Sequence, residues 1–246
     1  MTYRARTLVF IPALAIFAIL LVWALAGLPD FGNYVGPYGY LLNHVATPER
    51  HMTNVVTAVV FDYRGFDTMG EEFILFASVM GVVLLLRSQE ERETADLDDN
   101  VGSDLVHVIG TLMVGGTILV GLWLIAFGFV TPGGGFQGGV IVAAGAILVF
   151  LVSSHRAWQS VGNKEALDPL ESVGAGAYVV IGLAALVSGA PFLTNKLGPG
   201  VSGTLWSGGS AALINWATGL EVAAALLVLF AEFLEEYIVP LARNQE

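Results

Sequence analysis

Three observations predict an all-α integral membrane protein with about six transmembrane helices. Hydrophobic residues make up 55% of the 246 and charged residues only 13%, with a mean hydropathy of +0.73; an ordinary soluble domain carries about 25% charged residues. Six apolar runs reach or approach the roughly 20 residues that take a helix across about 30 Å of hydrocarbon. None of them alternates with period two, as a transmembrane barrel strand must. The lack of cysteine excludes disulfides, cysteine-ligated iron–sulfur clusters and cysteine zinc sites. Four dispersed histidines, with no His-x-x-x-His pair, offer no haem or metal constellation. No cofactor and no structural metal is expected.

The runs lie at residues 8–28, 69–86, 105–130, 136–153, 173–190 and about 212–235. In the first, Arg4 and Arg6 precede an apolar stretch ending in Ala24-Leu25-Ala26, which is also the outline of a cleavable signal over residues 1–26. The stretch is longer than an ordinary signal core, which favours a retained helix. With the N-terminus in the cytoplasm, Arg4, Arg6, Arg87, Arg92, Arg156, Lys164 and Arg243 fall inside and Arg50, Arg64 and Lys196 outside, as the positive-inside rule asks. Both termini are then cytoplasmic, in a multi-pass protein of the cell membrane.

Much of the net charge of −11 sits in "EERETADLDDN", residues 90–100, which with Asp104 carries seven acids against one arginine. Like-charge blocks of this kind are solvated linkers; docking or cation attraction is the other reading. The linker, 91–102, separates an N-terminal membrane module at 1–90 from a four-helix membrane domain at 103–246. An acidic surface also excludes nucleic acid as a partner.

Two loops join the hairpins of the second part, "GFVTPGGGFQGG" and "APFLTNKLGPGVSG". In the first, Pro132 ends any helix, and Gly133, Gly134 and Gly135 admit backbone angles closed to other residues. Gly135, Gly139 and Ala143 follow at spacing four, a ridge of small residues that lets a neighbouring helix approach. These glycines shape a site rather than perform chemistry.

Charges inside the spans carry more functional weight, because an ionisable group at bilayer depth costs about 2.5–3.5 kcal/mol and usually faces a cavity or a partner. Glu221 lies midway along the last run and shares its helical face with Thr218, Ala225, Val228 and Glu232. It either handles protons or cations or makes a structural hydrogen bond. His107 shares a face with Asp104 and Thr111, an arrangement that carries protons or terminates a helix at the interface. Upstream, Thr68 and Glu71 have the spacing of a capping box at the start of the second helix, and Asp168-Pro169-Leu170-Glu171 reads the same way for the fifth. That leaves Asp62, Arg64 and Asp67 unexplained. The preceding "TNVVTAVVF" is too short to span, so the chain forms a partial helix, breaks over "DYRGFDTMG" and restarts. Broken, charged backbone at membrane level requires protein or a water-filled cavity around it, which points to an ion or proton path at Asp62, Arg64, Asp67 and Glu71.

The stretch "NVVTAVVFDYRGFDTMGEE" closely resembles the C-terminal end of the large A-type polypeptide of Mrp-type multisubunit sodium/proton antiporters, equivalent to the small E-type polypeptide of membrane-bound hydrogenases. "TPGGGFQGG" resembles a signature of the B-type polypeptide of the same antiporters. The two resemblances cover roughly residues 52–90 and 103–236, on either side of the acidic linker. They imply an MnhB-like antiporter domain fused to a segment that related systems carry on another polypeptide. They also imply other membrane subunits as partners, in a complex akin to the membrane arm of a respiratory proton pump that exchanges Na⁺ for H⁺. Asp67, Glu71 and Arg64 match the family motif, with transient Na⁺ at Asp67 and Glu71, and Glu221 is the counterpart of an acidic position in the last helix. The large pumping members of such complexes carry a lysine in a broken helix. None of the six runs here contains lysine, so the chain is expected to be one component of a transporter, neither an enzyme nor a complete pump. The rival readings are an ion-conducting component of a redox-linked complex and a scaffold. Glu71→Gln and Glu221→Gln are expected to lose transport, and Glu72→Gln less, because Glu72 sits about 100° further round the helix. The roles of Glu72 and Glu232 stay open.

Overall fold

The computed structural model describes residues 3–28, 32, 36–86, 103–153 and 155–243. The acidic linker expected at 91–102 lies outside the described residues, as do Arg87 and Arg92. Among the described residues every regular element is a helix. Contacts divide the chain between Leu41 and Leu42. The first unit contains α1 (Tyr3–Ala26), with Pro12 inside it and an apolar stretch at Phe10–Ala26. Leu14, Phe17 and Leu21 are all exposed on it; a helix apolar on every side suits lipid. The 14-residue helix α2 (Pro37–Arg50) begins in this unit and ends in the second.

The second unit is built from α3 (Val55–Ala58), a π-helical turn at Val59–Tyr63, α4 (Gly65–Leu86), α5 (Asp104–Ala126), α6 (Gly135–Val152), α7 (His155–Val161), α8 (Lys164–Val187) and α9 (Ser210–Arg243). Five stretches, Gly65–Leu86, Asp104–Ala126, Gly135–Val152, Ala157–Val187 and Ser210–Leu234, are long and apolar enough to cross a membrane. α9 is the axis: 67% of its spanning window is buried, against 17% for α4 and for α5. α4, α6 and α8 pack on it, and α5 packs on α6. Close approach comes from glycine. A side chain at Gly139 would meet the Gly219 carbonyl oxygen at 2.8 Å, and one at Gly174 the Glu221 backbone nitrogen at 2.6 Å. Both α6 and α8 therefore lie directly on the backbone of α9.

Several boundaries differ from the sequence expectation. The second spanning helix starts at Gly65 rather than near 69, which puts Thr68 inside it; its hydroxyl donates to the Val60 carbonyl at 2.6 Å. The Thr68–Glu71 capping box is therefore corrected, because Thr68 ties the helix to the preceding π turn instead. The break is confined to Arg64, whose backbone (φ −129°, ψ 31°) leaves the helical region. α8 starts at Lys164, capped by Asn163, which accepts from the Glu165 backbone N–H at 2.9 Å. The second capping expectation thus fails too: Asp168-Pro169 lies inside α8, and Glu171 is a buried interior residue. Pro169, the sixth residue of α8, removes one intrahelical backbone bond. The earlier start of α8 also places Lys164 in a spanning helix, where its Nζ pairs with Glu232 at 3.0 Å.

The Lys164 side chain is 18% exposed and that of Glu232 only 2%. Removing one partner of a buried pair costs about 3–5 kcal/mol, whereas apolar replacement of both is close to neutral. Lys164→Met is accordingly expected to lower the thermal unfolding midpoint of the purified protein, and Lys164→Met with Glu232→Leu to recover most of the loss. A double variant no more stable than the single one would count against the pair.

Candidate functional site

At one end of the bundle the segment 50–65 is stitched to the loop around Pro132. The Asn54 carboxamide oxygen caps α3 by accepting from the Val56 and Thr57 backbone N–H groups, while its Nδ2 donates to the carbonyls of Gly128 at 2.7 Å and Thr131 at 3.1 Å. Thr57 donates to the same Gly128 carbonyl at 2.7 Å, and Thr53 donates to Val130. His51 Nδ1 donates to the Gly200 carbonyl at 2.6 Å, which brings in the loop before α9. The two motifs singled out in the sequence thus meet through the backbone carbonyls of the second.

A cavity of about 760 Å³ opens at this end, lined by Arg50, Asp62, Arg64, Asp67, Phe192 and Asn195 among others. Arg50 pairs with Asp62 at 3.1 Å and lies 4.7 Å over the Tyr63 ring, and Tyr63 donates to Glu49 at 2.6 Å. Arg64 Nε donates to Asp67 at 2.6 Å. Burial pushes the Asp62 carboxyl above its ordinary range, with Arg50 opposing the shift and Glu49 adding to it. Asp62, Arg64 and Asp67 therefore form a charged vestibule of paired groups at the start of α4.

Deeper in, a polar layer lies between two apolar clusters. Ala46, Met52, Phe61, Phe129, Tyr178 and Ile214 form the cluster at the vestibule end, and Val79, Ala143, Trp158, Leu167, Ala225 and Val228 form the other. On α9, Thr218 and Glu221 fall between Ile214 and Ala225; on α8, Glu171 falls between Leu167 and Tyr178; on α4, Glu72 precedes Val79. Thr218, Glu221, Glu171 and Glu72 are all buried. Glu72 Oε2, Glu171 Oε1, the Thr218 hydroxyl and both Glu221 oxygens have no hydrogen-bond partner of full geometry. Thr218 stands beside Glu72, and Glu221 senses the charges of both Glu72 and Glu171. Eleven residues into its span, Glu221 lies about 16 Å along the helix from Ser210, near the middle of a stretch long enough to cross the hydrocarbon. An unpartnered carboxylate is costly to bury as a bare charge.

The expected face of α9 is assembled as spaced, since Thr218, Glu221, Ala225, Val228 and Glu232 are all buried. Glu71 and Glu72 differ in the opposite sense to the expectation: Glu71 is exposed and Glu72 is 3% exposed. His107 is not brought into the layer. Its Nδ1 donates to the Val152 carbonyl at 2.8 Å, tying the start of α5 to the end of α6. Asp104 is exposed in the first turn of α5, and Thr111 donates back to the His107 carbonyl. Gly135 donates its backbone N–H to the buried Asn215 side chain at 2.6 Å, which fixes the glycine loop to α9. Thr218 joins Glu221 in the layer as its spacing requires, whereas Glu72, Glu171 and Gly174 complete the layer without having been expected there. The available signal was Gly174, Ala175, Tyr178, Gly182 and Ala185 recurring at helical spacing after Glu171, a face that the assumed capping box concealed.

A bundle of helices long and apolar enough to span the membrane, with carboxyl groups buried on three of them below a charged vestibule, places the chain in the class of all-helical multi-pass membrane proteins. More specifically, the chain belongs to the family of domains related to the MnhB subunit of Na⁺/H⁺ antiporters, whose model matches residues 105–228, while residues 30–99 match the family of the E-type polypeptide of MBH. An uncharacterized protein of Methanocaldococcus jannaschii is 28% identical over 171 residues, 63% of this chain and 64% of that protein. A probable K⁺/H⁺ antiporter polypeptide of combined A/B type from Rhizobium meliloti is 30% identical over 167 residues, 58% of this chain but 16% of that protein. The chain therefore spans less than two thirds of the length of either relative. Among solved structures, a chain of the archaeal membrane-bound sulfane sulfur reductase, a respiratory membrane complex, superposes with a TM-score of 0.68 at 28% identity, covering 94% of this chain and 99% of that one. A chain of the Mrp complex from a Dietzia species also gives 0.68, at 23% identity over 94% of this chain and 26% of that one, a likeness of fold.

Proposed function

We propose that this chain is a plasma-membrane component of a multisubunit monovalent cation/proton antiporter, exchanging Na⁺ for H⁺, and that it works as part of a transporter rather than as an enzyme. The observation that carries this reading is the polar layer of Glu72, Glu171 and Glu221, with carboxylate oxygens left unpartnered at bilayer depth. A carboxyl that holds either a proton or a cation is the elementary device of exchange. The vestibule of Asp62, Arg64 and Asp67 admits the ion, and Glu71 stands about one turn further along α4 from Asp67.

Gentle purification of the native complex, followed by reconstitution into vesicles, tests this. The complex is expected to dissipate an imposed pH gradient on addition of Na⁺, compared in turn with K⁺ and choline, while the chain alone shows no exchange. Robust exchange by the single chain, or none by the complex, would refute the reading. The match to the sulfane sulfur reductase chain supports a second possibility, the ion-conducting component of a redox-linked complex. Co-purifying hydrophilic subunits with iron–sulfur clusters would decide for it.

Orientation is part of the proposal: both termini are cytoplasmic and the vestibule is external. Ser202, exposed in the loop before α9, and Gln159, exposed on α7 at the other end, can each become the sole cysteine of this cysteine-free chain. Ser202→Cys is expected to react with an impermeant thiol reagent from outside and Gln159→Cys only from inside; the reverse pattern would invert the topology.

A further inference from the structure

A second, smaller cavity of about 270 Å³ reaches the polar layer at Glu72 and Thr218, and its lining combines oxygen-bearing groups with apolar wall. Thr57, Thr68, Thr218, Glu72, Gln137 and the Gly133-Gly134 backbone contribute oxygen, while Val56, Val60, Phe61 and Phe136 supply apolar wall. Each threonine hydroxyl has one proton and two lone pairs. Thr57 spends its proton on the Gly128 carbonyl and Thr68 on the Val60 carbonyl, so both present lone pairs to other neighbours. The Gln137 side-chain oxygen lies against Gly134, in the space that a side chain there would fill. Glu72 Oε2 and the Thr218 hydroxyl, both more than nine-tenths buried, line the cavity side by side, and neither makes a hydrogen bond of full geometry.

From this arrangement we infer that the cavity is a binding site for one partly dehydrated monovalent alkali cation, held by Glu72 and Thr218, with Gln137 at its rim. Hard cations take oxygen ligands, and a water occupies about 30 Å³ of liquid volume, so the cavity holds the ion with part of its hydration shell. Charge sets the valence. Glu72 is the buried carboxylate of the lining, and Glu71 at the exposed rim remains solvated and screened. One proton or one monovalent cation neutralises Glu72, whereas a divalent ion would leave a net positive charge in an apolar enclosure. Proton and cation therefore compete for Glu72. The titratable groups that face it are Glu71 on its own helix, Glu221 on α9 and Tyr178 on α8, whose hydroxyl is already committed to the Gly65 carbonyl at 2.8 Å. Thr218 and Glu221, one turn apart on α9, connect the site to the deeper carboxyls. This assignment rests on the antiporter reading for its purpose but not for its measurement.

Infrared difference spectroscopy of the complex in bilayers, perfused with NaCl or choline chloride over a pH series, reads the competition directly. The protonated-carboxyl absorption of Glu72 is expected to vanish at lower pH as Na⁺ rises, by about one pH unit per tenfold Na⁺ for one-for-one competition. Glu72→Gln should remove the Na⁺-dependent band. Thr218→Val, nearly isosteric, should keep it but raise the half-saturating Na⁺ about tenfold, the equivalent of one lost contact to a charged group. Glu221→Gln should keep the Na⁺ response while losing exchange. A band unaffected by Na⁺, a response that survives Glu72→Gln, or saturation by CaCl₂ at lower concentration than NaCl would overturn the site. If Glu72→Gln does not assemble, Thr218→Val decides, and an unchanged half-saturation rejects it. A Na⁺ response at Glu72 in a complex that exchanges nothing would uphold the site and refute the antiporter reading.

Discussion

Glu221→Gln is expected to reduce coupled exchange by about 10²-fold or more, the scale on which loss of a positioned proton-transfer group acts, while the complex assembles at normal abundance. Glutamine keeps the size of the side chain and its capacity for hydrogen bonding but cannot exchange a proton. Both Glu221 oxygens lack a partner in the fold, so the amide breaks no structural bond. The burial pattern orders the neighbouring acids: Glu72→Gln should be nearly as severe, and Glu71→Gln, at an exposed position, should shift the half-saturating cation concentration only a few-fold because solvent and salt screen it. Proton-gradient assays on reconstituted complexes measure all three. Unimpaired exchange by Glu221→Gln at unchanged abundance would return the layer to a structural role and favour a scaffold.

The second large effect is expected at Gly174. A Cβ there would stand 2.6 Å from the Glu221 backbone nitrogen and 2.7 Å from its Cα. Backbone cannot move aside as a side-chain tip does, so Gly174→Ala must push α8 away from α9 and open the layer that holds Glu171 against Glu221. Overpacking of this kind costs about 1–3 kcal/mol. Lower abundance and a lower unfolding midpoint in detergent are expected, with exchange lost in whatever complex remains. Gly176, two residues on, supplies the control: a Cβ there meets nothing within 4 Å, so Gly176→Ala should be neutral or slightly stabilising through helix propensity. Equal destabilisation at both positions would show that helix propensity or lipid contact, rather than the α8–α9 approach, sets the effect.

Some of this site could be read from the chain alone, and some could not. Glu221 and its companions Thr218, Ala225, Val228 and Glu232 were legible because a continuous helix places residues three and four apart on one face wherever it packs. An interruption within residues 62–70 was legible because a charged, glycine-containing segment cannot continue a lipid-exposed helix, although the structure confines it to Arg64. Glu72 and Glu171 were not. In a soluble helix the contrast of polar and apolar residues marks the inward face, but α4 is apolar over most of its circumference, so an isolated acid there has no marked direction; on α8 the small-residue face after Glu171 carried the direction, and the assumed cap hid it. Local patterns then misled. Thr68–Glu71 and Asp168–Glu171 have the spacing of caps, yet α4 begins at Gly65, where its carbonyl accepts from Tyr178, and α8 begins behind Asn163. Membrane class and helical architecture followed from the order of residues alone, because hydrocarbon thickness and the need to satisfy every backbone group leave few alternatives. Which acids meet, and that they meet beside a cavity, depends on the packing: Gly139 and Gly174 let α6 and α8 come onto the backbone of α9, and the face that an apolar helix turns inward is chosen by that close contact rather than by the avoidance of water.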